Sequence, residues 1–141
     1  SLTCEQNLML PPVVAEGGMS VDEIYEMFPN LKERRGSPGG RLSGGEQQML
    51  AIARILRTGA KLLLLDEITE GLAPVIVQRL GQIVTALRDR GFTIVLVEQN
   101  FRFAAKLADR HYVMEDGHVV DSFPNSALES KSEELHKFLG V

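Results

Sequence analysis

The stretch from Arg41 to Pro74, RLSGGEQQMLAIARILRTGAKLLLLDEITEGLAP, contains two chemical signals at a fixed separation. The first, Leu42–Glu46, is a polar, glycine-rich start to a helix, and the free N–H groups of a helix start can hold an anion. The second is the apolar run Leu62–Leu65, which leads into the carboxylates of Asp66 and Glu67. Carboxylates at a strand end can hold a metal ion and orient a water. Together the two signals indicate phosphate chemistry.

Composition sets outer limits on the class of protein. A chain of 141 residues with 44% hydrophobic residues can bury a core and is expected to form one domain. Its net charge of −4 argues against a nucleic-acid binder, which usually carries a basic face. Cys4 is the only cysteine, which indicates a reducing compartment. No apolar run approaches the ~18 residues of a membrane span.

The periodicity around the opening stretch predicts alternating helices and strands. We expect a helix over about Ser43–Thr58 and a strand over Leu62–Leu65 that is buried on both faces, since its apolar residues do not alternate. A second helix is expected over about Pro74–Arg90 and a second buried strand over Thr93–Val97. Strand, helix, strand in this order predicts a right-handed crossover in a parallel sheet.

The segment before this stretch is predicted to be mostly irregular. Ser1–Gly18 is punctuated by proline and glycine pairs, which favours irregular backbone. Ser20 and Glu23 form a capping box that starts a short helix, and Pro29 ends it. Lys32–Gly40 is charged and then glycine-rich, which predicts a solvated loop.

The C-terminal third is predicted to hold a short helix, a hairpin and two closing helices. The helix covers Phe101–Ala108, and the hairpin pairs Tyr112–Glu115 with His118–Ser122 across an Asp-Gly turn. The closing helices cover Asn125–Ser130 and Ser132–Leu139. Three histidines without ligand spacing are interpreted as surface residues: His111, His118 and His136.

Each candidate site also has a purely structural interpretation. A capping box alone explains Ser43 and Glu46, but it does not explain Gly44 and Gly45, which cost a helix ~1 kcal/mol each relative to alanine. Acidic residues after a buried strand can be a solvated strand end, although ligands of open α/β sheets bind at the carboxyl ends of strands.

The next strand end, Glu98-Gln99-Asn100, is expected beside Asp66 and Glu67. We interpret Asn100 as the cap of the following helix. The role of Gln99 stays open on the residues alone.

The combination LSGGEQQMLAIARIL, LLLLDE, EGLAP, LVEQN and ADRHYVMEDGHVV resembles the ATPase subunits of ABC transporters. On that resemblance, Leu42–Glu46 is the signature motif and Leu62–Asp66 is Walker B. Glu67 is then the catalytic glutamate, Thr69–Ala73 the D-loop, and Gln99 stands at the switch-histidine position.

The resemblance implies an α/β chain that is the C-terminal part of a P-loop NTPase (ABC ATPase) fold. It would combine a mostly parallel sheet and flanking helices with part of the helical signature subdomain. Residues 1–60 would be that subdomain portion and residues 61–141 the C-terminal part of the RecA-like core. A Walker A loop, GxxxxGK[ST], does not occur in the sequence, and the family places it upstream of Ser1. We therefore expect a portion of a longer ATPase that is inactive when isolated.

Within the family, the chain looks most like the second ATPase subunit of branched-chain amino-acid importers. Ala73-Pro74 replaces the usual D-loop aspartate, and Glu98-Gln99-Asn100 replaces the usual Glu-His-Asp. Importers of urea and short amides share the Thr69-Glu70-Gly71 run, so the substrate class stays open. Ile68 departs from the usual proline.

Two interpretations from different functional classes compete with an importer ATPase. One is a non-catalytic module that uses this half-fold only for docking. The other is a soluble ATPase of DNA repair or translation, which ranks lower because such proteins usually keep the switch histidine and the D-loop aspartate.

The resemblance also implies a mechanism with ATP and Mg²⁺. Asp66 would hold Mg²⁺ through its water shell, Glu67 would act as general base, and Gln99 would hydrogen-bond the γ-phosphate or the attacking water. The motif that binds the ATP phosphates of the opposing subunit would comprise five residues: Leu42, Ser43, Gly44, Gly45 and Glu46.

The partners implied by the resemblance are membrane-spanning permease subunits and a second ATPase subunit, with no nucleic acid. The location implied is the cytoplasmic face of the membrane. Because the strands should be central in a sheet, we expect the isolated chain to associate with itself through uncovered apolar surface.

Overall fold

Helices occupy most of the first sixty residues, and the strands follow. The computed structural model describes residues 2–131 and Leu135. The helices are α1 (Cys4–Met9), α2 (Val21–Met27), α3 (Pro29–Glu33), α4 (Gly44–Leu56), α5 (Pro74–Asp89) and α6 (Phe101–Ala104). The strands are β1 (Leu62–Asp66), β2 (Thr93–Val97), β3 (Arg110–Glu115) and β4 (His118–Pro124). Short 3₁₀ turns cover Gly39–Arg41 and Asn125–Ala127.

Capping boxes start three of these helices. In each box, the hydroxyl of the cap residue accepts a hydrogen bond from the backbone N–H of the residue three positions later. The side chain of that later residue accepts one from the backbone N–H of the cap residue. The pairs are Thr3 and Gln6 in α1, Ser20 and Glu23 in α2, and Ser43 and Glu46 in α4. The last two confirm the sequence prediction. The first corrects it, because α1 lies inside the segment expected to be irregular. Its cap satisfies the Gln6 N–H, and Cys4 and Leu8 are fully buried.

The solvated loop expected over Lys32–Gly40 is also only partly correct. Pro29 ends α2 as predicted, but it then occupies the first turn of α3, where its missing N–H costs nothing. Leu31 is fully buried, so α3 packs against the core. The 3₁₀ turn Gly39–Arg41 then leads into α4.

The parallel pair is observed as expected, with β1 and β2 joined by α5. Leu62 pairs with Thr93 and Asp66 with Val97. The expectation that β1 is buried on both faces is wrong, because Leu63 and Leu65 are buried while Leu62 and Leu64 are exposed. In the described residues one face of the sheet packs into the core with α4 and α5. The other face leaves four apolar side chains exposed: Leu62, Leu64, Val95 and Val97.

The expected hairpin is present as β3 and β4, which pair antiparallel. Asp116 and Gly117 both have positive φ, as the tight turn requires. The described residues thus contain one parallel and one antiparallel pair of strands.

Of the two histidines in the described residues, the surface interpretation holds for one. His118 is exposed, but His111 is partly buried because its ring stacks on Phe123 at 5.3 Å and its Nε2 lies 2.8 Å from Asn125 Oδ1. His136 lies outside the described residues.

Among the remaining helices, α6 is shorter than expected. The helix α6 ends at Ala104 rather than Ala108. The first closing helix begins as the 3₁₀ turn and continues over residues 128–131, while the second lies outside the described residues except for the buried Leu135. No helix in the described part of the chain is long and apolar enough to cross a membrane.

Candidate functional site

The carboxyl ends of β1 and β2 bring Glu67 and Gln99 together. The Glu67 N–H donates to the Val97 carbonyl at 2.9 Å, which extends the parallel ladder one residue past β1. The Gln99 Nε2 then donates to Glu67 Oε1 at 2.5 Å. Two residues that the sequence places 32 positions apart are thus in direct contact at one edge of the sheet.

Glu67 adopts an unusual backbone conformation. Its φ of 48° lies in the left-handed region, which costs a residue with a Cβ about 1–2 kcal/mol. Such a residue persists only where its surroundings hold it. The following Ile68 is buried in the core, and the Glu70 N–H closes a turn onto the Glu67 carbonyl at 3.3 Å. In this turn the Glu67 carboxylate contacts Gln99.

A second contact at this edge was not predicted from the sequence. Glu98 accepts two hydrogen bonds from Thr69, one from its N–H at 3.2 Å and one from its hydroxyl at 2.9 Å. Thr69 is buried, so its polar groups need hydrogen-bond partners within the protein. The only sequence signal was the position of Glu98 directly after β2.

Asp66 ends β1 with an exposed side chain. The described residues contain no group of three or more histidine, cysteine, aspartate or glutamate side chains able to hold a metal ion. Mg²⁺ is commonly bound by one or two carboxylates together with substrate phosphates. Asp66 therefore fits a Mg²⁺ that arrives with a phosphate chain, and not a metal held by protein alone.

The start of α4 presents only part of its motif to solvent. Ser43 and Gly44 are exposed, whereas Leu42 and Gly45 are buried. The Ser43 hydroxyl caps the helix by accepting from the Glu46 N–H at 3.3 Å.

Packing accounts for the second glycine. A Cβ placed on Gly45 would lie 2.6 Å from Ile76 Cγ2, so α4 and α5 approach more closely than alanine permits. A Cβ on Gly44 would meet Leu72 Cδ2 at 3.4 Å, an ordinary contact. Close packing of α4 against α5 therefore explains the glycine at position 45. It does not explain the glycine at position 44.

The Glu46 side chain takes part in the capping box at the start of α4. Its carboxylate accepts from the Ser43 N–H at 2.8 Å and pairs with Arg34 at 3.4 Å. The hydrogen bond from Ser43, followed by the Arg34 charge, lowers the pKa of Glu46 despite partial burial. Glu46 thus shapes the helix start and stays ionised there.

A turn connects the two candidate regions. Leu72 N–H donates to the Thr69 carbonyl at 3.3 Å, and the Leu72 side chain is the group that would meet a Cβ on Gly44. No hydrogen bond or ion pair in the described part of the chain joins the Leu42–Glu46 motif to Asp66, Glu67 or Gln99. The structure thus forms one cluster at the sheet edge and a separate exposed helix start.

A parallel strand that ends in two adjacent carboxylates, next to a capped glycine-rich helix, is the arrangement that the resemblance to ATP-binding cassettes implied. Residues 2–70 match the family model described as ABC transporter. This chain belongs to the ABC transporter family.

Curated relatives agree with this assignment. The chain is 45% identical to the high-affinity branched-chain amino acid transport ATP-binding protein BraG of Pseudomonas aeruginosa, over 99% of this chain and 61% of BraG. It is 35% identical to the probable branched-chain amino acid transport ATP-binding protein LivF of Archaeoglobus fulgidus, over 95% of this chain and 59% of that protein. The chain therefore spans about three fifths of the length of these relatives.

Solved structures confirm the expected fold. A dimeric ATP-binding cassette in a post-hydrolysis state, bound to ADP and phosphate, matches with a TM-score of 0.72 at 26% identity, over 88% of this chain and 57% of that one. A nucleotide-free ATP-binding cassette matches with a TM-score of 0.76 at 21% identity, over 99% and 60%.

Proposed function

We propose that this chain is the portion of an ABC importer ATPase that carries the signature helix and the hydrolytic carboxylate, and that the importer transports branched-chain amino acids. The observation that carries the activity is Glu67, held at the strand end by Gln99. The observation that carries the substrate class is the likeness to BraG and LivF, both named as branched-chain amino acid transport proteins. Urea or short amides are the alternative cargo.

In this proposal Glu67 is the general base. Its carboxylate accepts the proton of the attacking water, and Gln99 fixes its orientation by donating one hydrogen bond. Because glutamine does not ionise, Gln99 adds no titrating group of its own to this contact. Asp66 would hold Mg²⁺ through water, and the ion, when bound, would supply positive charge beside the phosphate chain.

The exposed Ser43 and Gly44 are the part of the signature motif proposed to meet a nucleotide. They stand at the start of a 13-residue helix, where N–H groups and the macrodipole favour an anion. The anion would be the γ-phosphate of ATP on the opposing ATPase subunit. Leu42, Gly45 and Glu46 support this surface by packing and capping.

The larger assembly follows from the same proposal. Residues 1–60 form the helical signature portion that docks on the permease subunits, and residues 61–141 form part of the ATPase core. Two ATPase subunits act together at the cytoplasmic face of the membrane. ATP and Mg²⁺ are the cofactors of the assembled protein.

The isolated chain is expected to bind Mg-ATP weakly. Affinity in this fold class comes chiefly from a phosphate-cradling loop and its lysine. One exposed helix start contributes ~0.3–1 kcal/mol to anion binding, whereas millimolar affinity needs about 4 kcal/mol. Calorimetric titration with Mg-ATP measures this directly, and micromolar binding would show a phosphate site elsewhere in the chain.

The proposed activity is tested in a chimera in which this chain replaces the aligned region of BraG. The chimera should hydrolyse ATP, and Glu67→Gln should retain ATP binding while losing nearly all turnover, because the side chain keeps its size and loses its basicity. Glu70→Gln is the matched control, since Glu70 is an exposed carboxylate in the same turn. A chimera that folds and binds ATP without hydrolysing it would favour the docking module instead.

A further inference from the structure

Glu98 and Gln99 follow β2 directly, and each bonds to a different residue of the turn after β1. Gln99 donates to the Glu67 carboxylate, and Glu98 accepts from both polar groups of Thr69. Thr69 is 7% exposed and Glu98 is half-buried, so their contact is shielded from water. The turn is therefore tied to β2 at two points.

The residue between these two points is fixed as well. Ile68 is 3% exposed in the core, with Glu67 on one side and Thr69 on the other. Glu67 has φ of 48° and needs surroundings that hold it there. With Ile68 anchored, the Glu98 contact to Thr69 restrains the C-terminal side of the strained residue, and the Val97 contact restrains its N–H.

We propose that Glu98 is a positioning residue for Glu67. It acts through Thr69, holding the turn so that the Glu67 carboxylate stays within reach of Gln99. The inference rests on the proposed function, because it assigns Glu98 a part in the same hydrolysis. Glu98 itself touches no reacting atom.

The chemistry of the contact supplies matched variants. Alanine at position 98 removes both acceptors and leaves the buried Thr69 N–H without its partner. Glutamine can keep both bonds, because its amide oxygen accepts from the N–H and its NH₂ donates to the hydroxyl. Thr69→Val removes only the hydroxyl bond, whereas Thr69→Ser retains it.

The first test measures amide hydrogen exchange in the 141-residue chain. Glu98→Ala should accelerate exchange at the Thr69 amide on the order of 10-fold, since hydrogen bonds to charged groups are among the stronger ones. Glu98→Gln should stay close to wild type, and Glu70→Ala is the control for loss of a carboxylate in the turn. Equal exchange in Glu98→Ala and Glu70→Ala would overturn the proposed restraint.

The second test measures steady-state hydrolysis in the BraG chimera. Glu98→Ala should lower kcat on the order of 10-fold while the KM for ATP stays within about twofold, and Glu98→Gln should restore kcat. An active chimera in which Glu98→Ala keeps the wild-type kcat would overturn the positioning role. An inactive unsubstituted chimera would instead refute the proposed function, and the exchange experiment would still decide whether Glu98 restrains the turn.

Discussion

Alanine substitution at the two adjacent glycines of α4 should have different effects on stability. At Gly45 an added Cβ would lie 2.6 Å from Ile76 Cγ2 and 3.3 Å from Ile76 Cγ1. Both atoms sit on the first branch of a β-branched side chain, which has little rotamer freedom in a helix. The clash can therefore be relieved only by moving α4 away from α5.

The expected magnitudes follow from this geometry. Overpacking costs about 1–3 kcal/mol, and replacing a helical glycine by alanine returns at most about 1 kcal/mol. Gly45→Ala should therefore lower the free energy of unfolding by about 0–3 kcal/mol. Gly44→Ala makes only an ordinary contact with Leu72 and should be neutral or slightly stabilising.

Urea denaturation of both variants of the 141-residue chain measures the difference, which should be about 1–3 kcal/mol in favour of Gly44→Ala. Adding Ile76→Ala should abolish the difference, because it removes both clashing atoms. If Gly45→Ala were as stable as Gly44→Ala with Ile76 intact, the packing explanation for Gly45 would be wrong.

Three further predictions concern titration and association. In the BraG chimera, Gln99→His should introduce a dependence of the hydrolysis rate on pH between about 6 and 7, and a profile parallel to wild type would make residue 99 a bystander. Glu46 has a lowered pKa in the folded chain, so its contribution to stability is present above the unfolded pKa and is lost as pH falls through the folded one. Glu46→Gln, which can still complete the capping box, should therefore lose less stability on acidification, as acid titration monitored by circular dichroism would show. The exposed apolar sheet face should make the chain self-associate in sedimentation equilibrium, and Leu64→Lys should weaken that association; a monomeric wild-type chain at high concentration would contradict this.

Local chemistry explains why much of the fold was predictable. The capping box of Ser43 and Glu46 fixes where α4 begins, and the Asp-Gly pair fixes the hairpin turn. The helix α1 was missed although Thr3 and Gln6 form the same kind of box, because the proline and glycine pairs that follow it dominated the prediction.

The features that could not be predicted from the sequence depend on how distant segments of the chain pack together. The contact of Glu98 with Thr69 depends on the pairing of β1 with β2, across 29 positions in the chain. The one-sided burial of β1 is equally invisible, since the leucines at positions 62–65 are identical whichever face is covered. The adjacency of Glu67 and Gln99 was predictable because both follow apolar strands that form one parallel pair.

At position 67 the left-handed backbone favours a residue without a Cβ, whereas the proposed activity needs a carboxylate. Glycine would adopt this φ without penalty and asparagine with little, yet neither can serve as a carboxylate base. A library selected only for thermal tolerance should therefore drift toward glycine at position 67 and lose the carboxylate that we propose as the general base. Mutagenesis for thermal stability in this region therefore has to keep Glu67 and introduce stabilising substitutions at other positions.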